Sequence, residues 1–308
     1  MGPVTARHDG ASALVPSRST KREDSSDMSI FQTPGPVVAT VDLAVGGVRI
    51  TAEDRDDTTV DVRPSDPRNA ADRDAAEGTQ VTFADGRLEV RAPRLRGWLS
   101  LRGGGSVDVA VALPHGSDVR GTGASADFAC VGRLGECRIK TGLGQVRVDE
   151  AGPVDLKSGV GDITVERATG RAQVVAGSGD VRIGTLDAGG AVKNANGATW
   201  IESSAAELRI NAANGDITVD RADADLTAKA ANGAVRLREA VRGSVVLETR
   251  IGDVEVGIRE GTAAWVDANA TAGKVRNTLE EGAAPGPGTE TVQVRARTSV
   301  GEIVIRRP

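Results

Sequence analysis

The chain has 308 residues with 39 glycines, three tryptophans, three phenylalanines and no tyrosine, so its interior must be built from small and β-branched side chains. A net charge of −5 argues against the basic footprint of a general nucleic-acid binder. No apolar run reaches the roughly 20 residues of a bilayer-spanning helix.

Residues 1–29 open the chain as a polar stretch containing Pro and Ser, without periodicity, and are expected to be a disordered tail. Its one apolar cluster, Ala13-Leu14-Val15, is too short for the core of an export signal, so the cytoplasm is the expected compartment. Residues 30–118 are read as a β-rich N-terminal cap that has not yet settled into a repeat. Strands are predicted at Val37–Val45, Val48–Thr51, Thr58–Arg63, Thr79–Phe83, Arg87–Arg91 and Ser106–Leu113. Between the third and fourth, Asp66-Pro67 is read as an N-cap with proline at the first helical position, opening a short helix. Gly103-Gly104-Gly105 reads as a flexible loop.

From residue 119 to residue 308 the chain repeats. Aligning one glycine of each copy gives Gly144, Gly161, Gly179, Gly197, Gly215, Gly233, Gly252, Gly273 and Gly301, with Ala126 one step earlier and a spacing close to eighteen until the last two steps. A fixed period of this size marks a solenoid. Each glycine is followed by an apolar-polar-apolar triplet such as Ile163-Thr164-Val165 or Ile217-Thr218-Val219, the alternation of a short strand. A second strand precedes the glycine, as in Leu208-Arg209-Ile210, and its inward residues lie an odd number of places away, so the chain turns a corner there. At roughly 3.3 Å per residue, eighteen residues make a loop of about 60 Å, one turn of a narrow stack with about 4.8 Å between turns. The predicted fold is therefore all-β, a single-stranded parallel β-solenoid with rungs of about eighteen residues. The acidic, Pro/Gly-rich stretch 279–290 interrupts the final spacing and is expected to lie over the C-terminal end or project from it.

The units Gly-Val-Gly-Asp-Ile-Thr-Val (159–165), Gly-Ser-Gly-Asp-Val-Arg-Ile (177–183) and Ala-Asn-Gly-Asp-Ile-Thr-Val (213–219) resemble the bacterial adhesin-like β-strand-repeat family, a domain of unknown function. The resemblance spans roughly Val37 to Arg306. It implies a β-solenoid, often actinobacterial, without an established enzymatic activity.

Four features are candidates for more than architecture. Asn196, Asn214 and Asn232 stand just before the corner glycines Gly197, Gly215 and Gly233 and are expected to stack as an amide ladder. Gly-Asp at Asp162, Asp180, Asp216 and Asp253 is read as turn chemistry, because a calcium β-roll needs a denser nonapeptide and several rungs lack the acid. Four of the six lysines, Lys140, Lys157, Lys193 and Lys229, share one repeat position four places before the glycine, which marks a candidate partner-binding face. Trp200 occupies an outward slot of the following strand, at the rim of that face or packed on its neighbours.

The only two histidines, His8 and His115, support no catalytic triad or multi-histidine metal site, and Cys130 and Cys137 read as small core residues. No catalytic residues, metal ligands or cofactor are assigned, and a small-molecule ligand is not expected. The sequence therefore points to a non-enzymatic scaffold or interaction module for a protein partner or for copies of itself. Two alternatives remain open: a face that binds anions or polyanions through the lysine row, and a glycan-binding β-helix, against which the scarcity of aromatic side chains tells.

Overall fold

A computed structural model describes residues 28–93, 105–279 and 289–308. The expectations for the tail 1–27, for 103–104 of the glycine-rich loop and for 280–288 of the acidic stretch lie outside the described residues.

The repeat body forms as its periodicity dictates. Rungs follow one another as β8 (Cys137–Leu143) with β9 (Val146–Ala151), β10 (Val154–Val160) with β11 (Ile163–Ala168), β12 (Ala172–Ser178) with β13 (Val181–Leu186) and β14 (Gly190–Asn196) with β15 (Thr199–Ser204). They continue as β16 (Leu208–Asn214) with β17 (Ile217–Ala222), β18 (Leu226–Asn232) with β19 (Val235–Ala240) and β20 (Gly243–Ile251) with β21 (Val254–Ile258). Each strand pairs in parallel with its counterparts one rung away, for example Ile210 with Val192 on one side and Ala228 on the other. Val165, Ile183, Ile201, Val219 and Leu237 stand in register as one buried column.

Each rung has a second bend that a two-strand reading does not contain. After the corner glycine the buried positions of β11 are Ile163, Val165 and then Ala168, so two adjacent residues, Glu166 and Arg167, point outward. The same change of parity recurs in β13, β15, β17 and β19. A rung therefore has three sides, and small residues such as Ala168, Ala222 and Ala240 fill the second corner.

The N-terminal region contributes to the stack as well as capping it. β2 (Val38–Glu53) is one unbroken strand where two were predicted; it turns at Gly46 and pairs in parallel with β7 (Asp118–Leu134) from Val38–Asp118 through Thr51–Val131. On its other side β2 pairs in parallel with β5 (Arg87–Arg91) and β6 (Val107–Pro114), which together form the first rung in space. The cap is antiparallel: β3 (Asp57–Pro64) lies on β6, β1 (Met28–Gln32) on β3 and β4 (Gln80–Ala84) on β5. The one helix among the described residues, α1 (Ala70–Glu77), starts later than expected. Its N-cap is Asn69, whose side chain accepts from the Ala71 amide, whereas the Asp66 carboxylate accepts from the Arg68 amide in a preceding turn.

The C-terminal end repeats this exchange of order. β24 (Thr291–Val300) and β25 (Ile303–Arg306) insert between β20/β21 and the outermost rung, β22 (Ala263–Ala272) with β23 (Val275–Asn277). The stretched final spacings thus reflect a rung laid down out of sequence. Among the described residues the stack holds twelve rungs, whose inward residues form one continuous apolar core.

A candidate partner-binding face

The corners that border the face are held by side chains as well as glycine. Three places before the glycine, Thr141, Ser158, Asn194, Thr249 and Thr298 point inward and are at most 6% exposed. Each donates to the carbonyl of the preceding corner: Ala126, Gly144, Gly179, Gly233 and Gly252 respectively. These bonds satisfy backbone oxygens at the bend, where the ladder itself is interrupted. Sequence reasoning passed over this column because Thr, Ser and Asn before a turn look like solvent-facing residues.

Just outside it, Asn214 donates its amide to Asn196 at 2.9 Å and Asn232 donates to Asn214 at 2.8 Å. The ladder occupies the middle of a longer file. Leu143 and Val160 stand at the same position on one side and Ile251 and Val300 on the other, each 51–53% exposed. The edge is therefore polar at its centre and apolar toward both ends.

The Gly-Asp aspartates bridge rungs. Oδ1 of Asp162, Asp180, Asp216 and Asp253 accepts from the amides of Asp180, Ala198, Ala234 and Glu302 at 2.8–2.9 Å. The remaining Asp216 oxygen meets Arg236 at 2.9 Å. Burial alone would raise the Asp216 carboxyl, but the Ala234 amide and the Arg236 guanidinium outweigh it and hold the group below the ordinary aspartate range. A depressed folded value contributes stability above the unfolded value of about 4, and that contribution disappears as pH falls through the folded value. Asp216→Asn keeps an acceptor for the amide but loses the charge. Its deficit in melting temperature relative to wild type should therefore be largest near neutrality and shrink under acid; a deficit that does not change with pH would assign Asp216 no titrating role.

The four lysines project from β8, β10, β14 and β18 on the side that precedes the corner. Their register reads Thr122, Lys140, Lys157, Val175, Lys193, Asn211, Lys229 and Glu248, so only Lys140 and Lys157 stand on adjacent rungs. Repulsion along the row is correspondingly confined to that pair, and acids offset it. Lys157 meets Asp155 at 3.2 Å, and Lys229 meets Glu248 at 2.7 Å. Lys140 and Lys193 have no ion-pair partner among the described residues.

Trp200 lies round the corner on β15, between Arg182 and Thr218. It is half-buried, and its indole N–H donates to Asp220 at 3.1 Å, an acid that also pairs with Arg238 at 3.2 Å. The structure thus places Trp200 in a polar network on a different side of the rung from the lysines.

Two concavities were not legible in the sequence. One of about 360 Å³ lies at the C-terminal end of the lysine side and is lined by Lys229, Glu248, Arg250, Asn269, Arg297 and Ser299. Arg297 is bound to Asp267 at 2.6 Å, whereas Arg250 has no acidic partner among the described residues. The other, of about 620 Å³, lies between the cap and the first rungs, with Arg49, Asp61, Arg63, Asp108 and Arg147 among its lining residues. There Arg63 pairs with Asp61 at 2.7 Å, and Ser65 donates to Asp108 at 2.9 Å.

Cys130 and Cys137 are buried free thiols. Their mutual hydrogen bond and their burial push the Cys137 thiol well above its ordinary value, which suits inert core residues rather than a nucleophile.

Several solved proteins are similar to the chain. A putative adhesin from Parabacteroides distasonis is 13% identical, with 92% of this chain and 98% of that one covered and a TM-score of 0.44. A putative adhesin from Parabacteroides merdae is 10% identical over 93% and 98%, with a TM-score of 0.41, and a putative lipid-binding protein from Parabacteroides distasonis is 7% identical over 93% and 98%, with a TM-score of 0.37. No curated protein matches the chain. The family model of the Toastrack domain, DUF4097, matches residues 40–306, nearly the whole of the stack described above, and the chain belongs to that family.

Proposed function

We propose that the chain is a non-catalytic β-solenoid scaffold that docks a protein partner on the side carrying Lys140, Lys157, Lys193 and Lys229. The observation that supports this reading is the border of that side. Lys140 and Lys157 stand on the strands of exposed Leu143 and Val160, and Glu248 and Arg297 on those of exposed Ile251 and Val300, with small residues such as Gly159, Ala195 and Ala213 along the border. Exposed apolar side chains next to charges of both signs suit a protein contact, which buries the former and pairs the latter. A bare polyanion would use only the cations.

The test is the fourfold replacement of these lysines by glutamine. Melting temperature should stay within a few degrees of wild type, since solvent-facing substitutions usually cost within about 0.5 kcal/mol each. Proteins captured from host extract by the wild type, and cross-linked to it through these lysines, should be lost. Capture of the same proteins at the same salt concentration by the variant would remove the site.

A second reading rests on the depression around Arg250. A guanidinium without an acidic partner among the described residues, flanked by Lys229 and Arg297, suits an anionic group. Binding there would weaken steeply with salt, whereas apolar protein docking would not.

A further inference from the structure

The two ends of the stack are finished differently. At the N-terminal end β3 covers the outer edge of β6, and β4 covers that of β5, both antiparallel. At the C-terminal end β22 and β23 pair only inward, with β24 and β25, and no strand among the described residues pairs with their outer edge. The core registers the difference. Val292, Val294 and Ala296 of β24 are at most 1% exposed, whereas their register partners Ala264, Val266 and Ala268 are only part-buried. Trp265 is 60% exposed and Val275 45%.

Free edges are ordinarily protected by proline, lysine, inward-pointing charge or brevity. β22, Ala-Ala-Trp-Val-Asp-Ala-Asn-Ala-Thr-Ala, has none of these over ten residues. Its single charge, Asp267, is held by Arg297 at 2.6 Å and Arg295 at 3.7 Å.

We propose that β22 is a self-association edge, through which two copies of the chain join C-terminal end to C-terminal end with their β22 strands antiparallel about a twofold axis. The occupant must bring a strand of rung length whose inward residues are small and continue the core. β22 itself meets that requirement. With Asp267 at the axis, Val266 falls opposite Ala268 of the second copy and Ala264 opposite its Ala270, so small inward residues meet small ones. The two aspartates at the axis lie among the four guanidiniums of Arg295 and Arg297, which makes the charges self-complementary. A head-to-tail arrangement does not fit, because the edges left unpaired at the other end among the described residues belong to five-residue antiparallel strands, β1 and β4. Such an isologous contact closes at two subunits. β22 continues the lysine side, with Asn269 in the register position of the lysines, but the contact is made by its outer edge three rungs beyond Lys229, so either assignment can fail alone.

The experiment is light scattering with sedimentation of the full chain from low micromolar to several hundred micromolar, combined with hydrogen exchange. The mass should rise from 31.6 kDa toward twice that value. Amides of β22 should gain protection at the dimer concentration. Trp265→Lys places a new charge on an exposed outward position of the edge; it should leave the circular dichroism unchanged, weaken dimerisation at least about tenfold and abolish the added protection. The fourfold lysine variant should still dimerise. A single-chain mass throughout, or an oligomer indifferent to Trp265→Lys, or one that leaves β22 amides unprotected, would overturn the proposal.

Discussion

Val219→Asp should unfold the central rungs together rather than loosen one. Val219 is 1% exposed and sits in the inward column between two apolar register partners, Ile201 and Leu237. The substitution removes about 1.5–3 kcal/mol of apolar burial and adds the cost of a buried acid, which titrates upward and remains neutral but unsatisfied. A total of about 4 kcal/mol or more is therefore expected. Each rung is stabilised only by its neighbours, so the loss spreads to both flanks. Native-state hydrogen exchange should show amides around Ile201 and Leu237 losing protection along with those around Val219. Thr218→Asp, one position away on the outer surface, should cost within about 0.5 kcal/mol. Loss confined to β17 would mean that the rungs are energetically independent.

The column that makes this prediction possible was readable from the spacing alone, because one glycine and one apolar triplet recur in nearly every turn. What escaped the period had identifiable causes. β2 pairs with β7 across eighty residues, Val38 with Asp118, and the cap inserted between them hides that relation from any search at eighteen. At the other end Asp253 bonds the amide of Glu302 on the spatially adjacent rung although β22 and β23 lie between them in the chain, so sequence order and spatial order part company. The second corner was missed because its column mixes Ala168, Ser204 and Ala222, too small to register as core, with Leu186 and Ile258 at the same position in other rungs. For the candidate face, position in the repeat located Lys140, Lys157, Lys193 and Lys229, and strand alternation puts Asp155 on the same outward face as Lys157, two residues earlier in β10. Glu248 meets Lys229 only because β20 stacks on β18. The Arg250 depression arises only once β24 is inserted beside β20 and places Ser299 beside Arg250.

Gly215→Ala, the loss of a single hydrogen in favour of a methyl group, should rival the core substitution in cost. Gly215 has φ of +135°, a conformation that L side chains rarely adopt, and this alone is worth about 1–3 kcal/mol. A methyl group there would also lie 2.1 Å from the carbonyl oxygen of Gly197, the corner of the preceding rung. That oxygen belongs to the backbone, so relief requires the two rungs to separate. Separation would stretch the Asn214–Asn196 bond and the amide that Gly197 donates to the Asn214 carbonyl at 3.0 Å. The strain and the steric term therefore add, to about 3 kcal/mol or more, against a typical total stability of about 5–15 kcal/mol. Gly86, in the turn between β4 and β5, supplies the comparison. Its φ of +70° is also positive, but nothing lies within 4 Å of an added methyl group. Gly86→Ala should cost only the left-handed backbone penalty of about 1–2 kcal/mol. Urea denaturation of the two variants separates the terms, and equal costs would show that rung spacing yields freely at the corner.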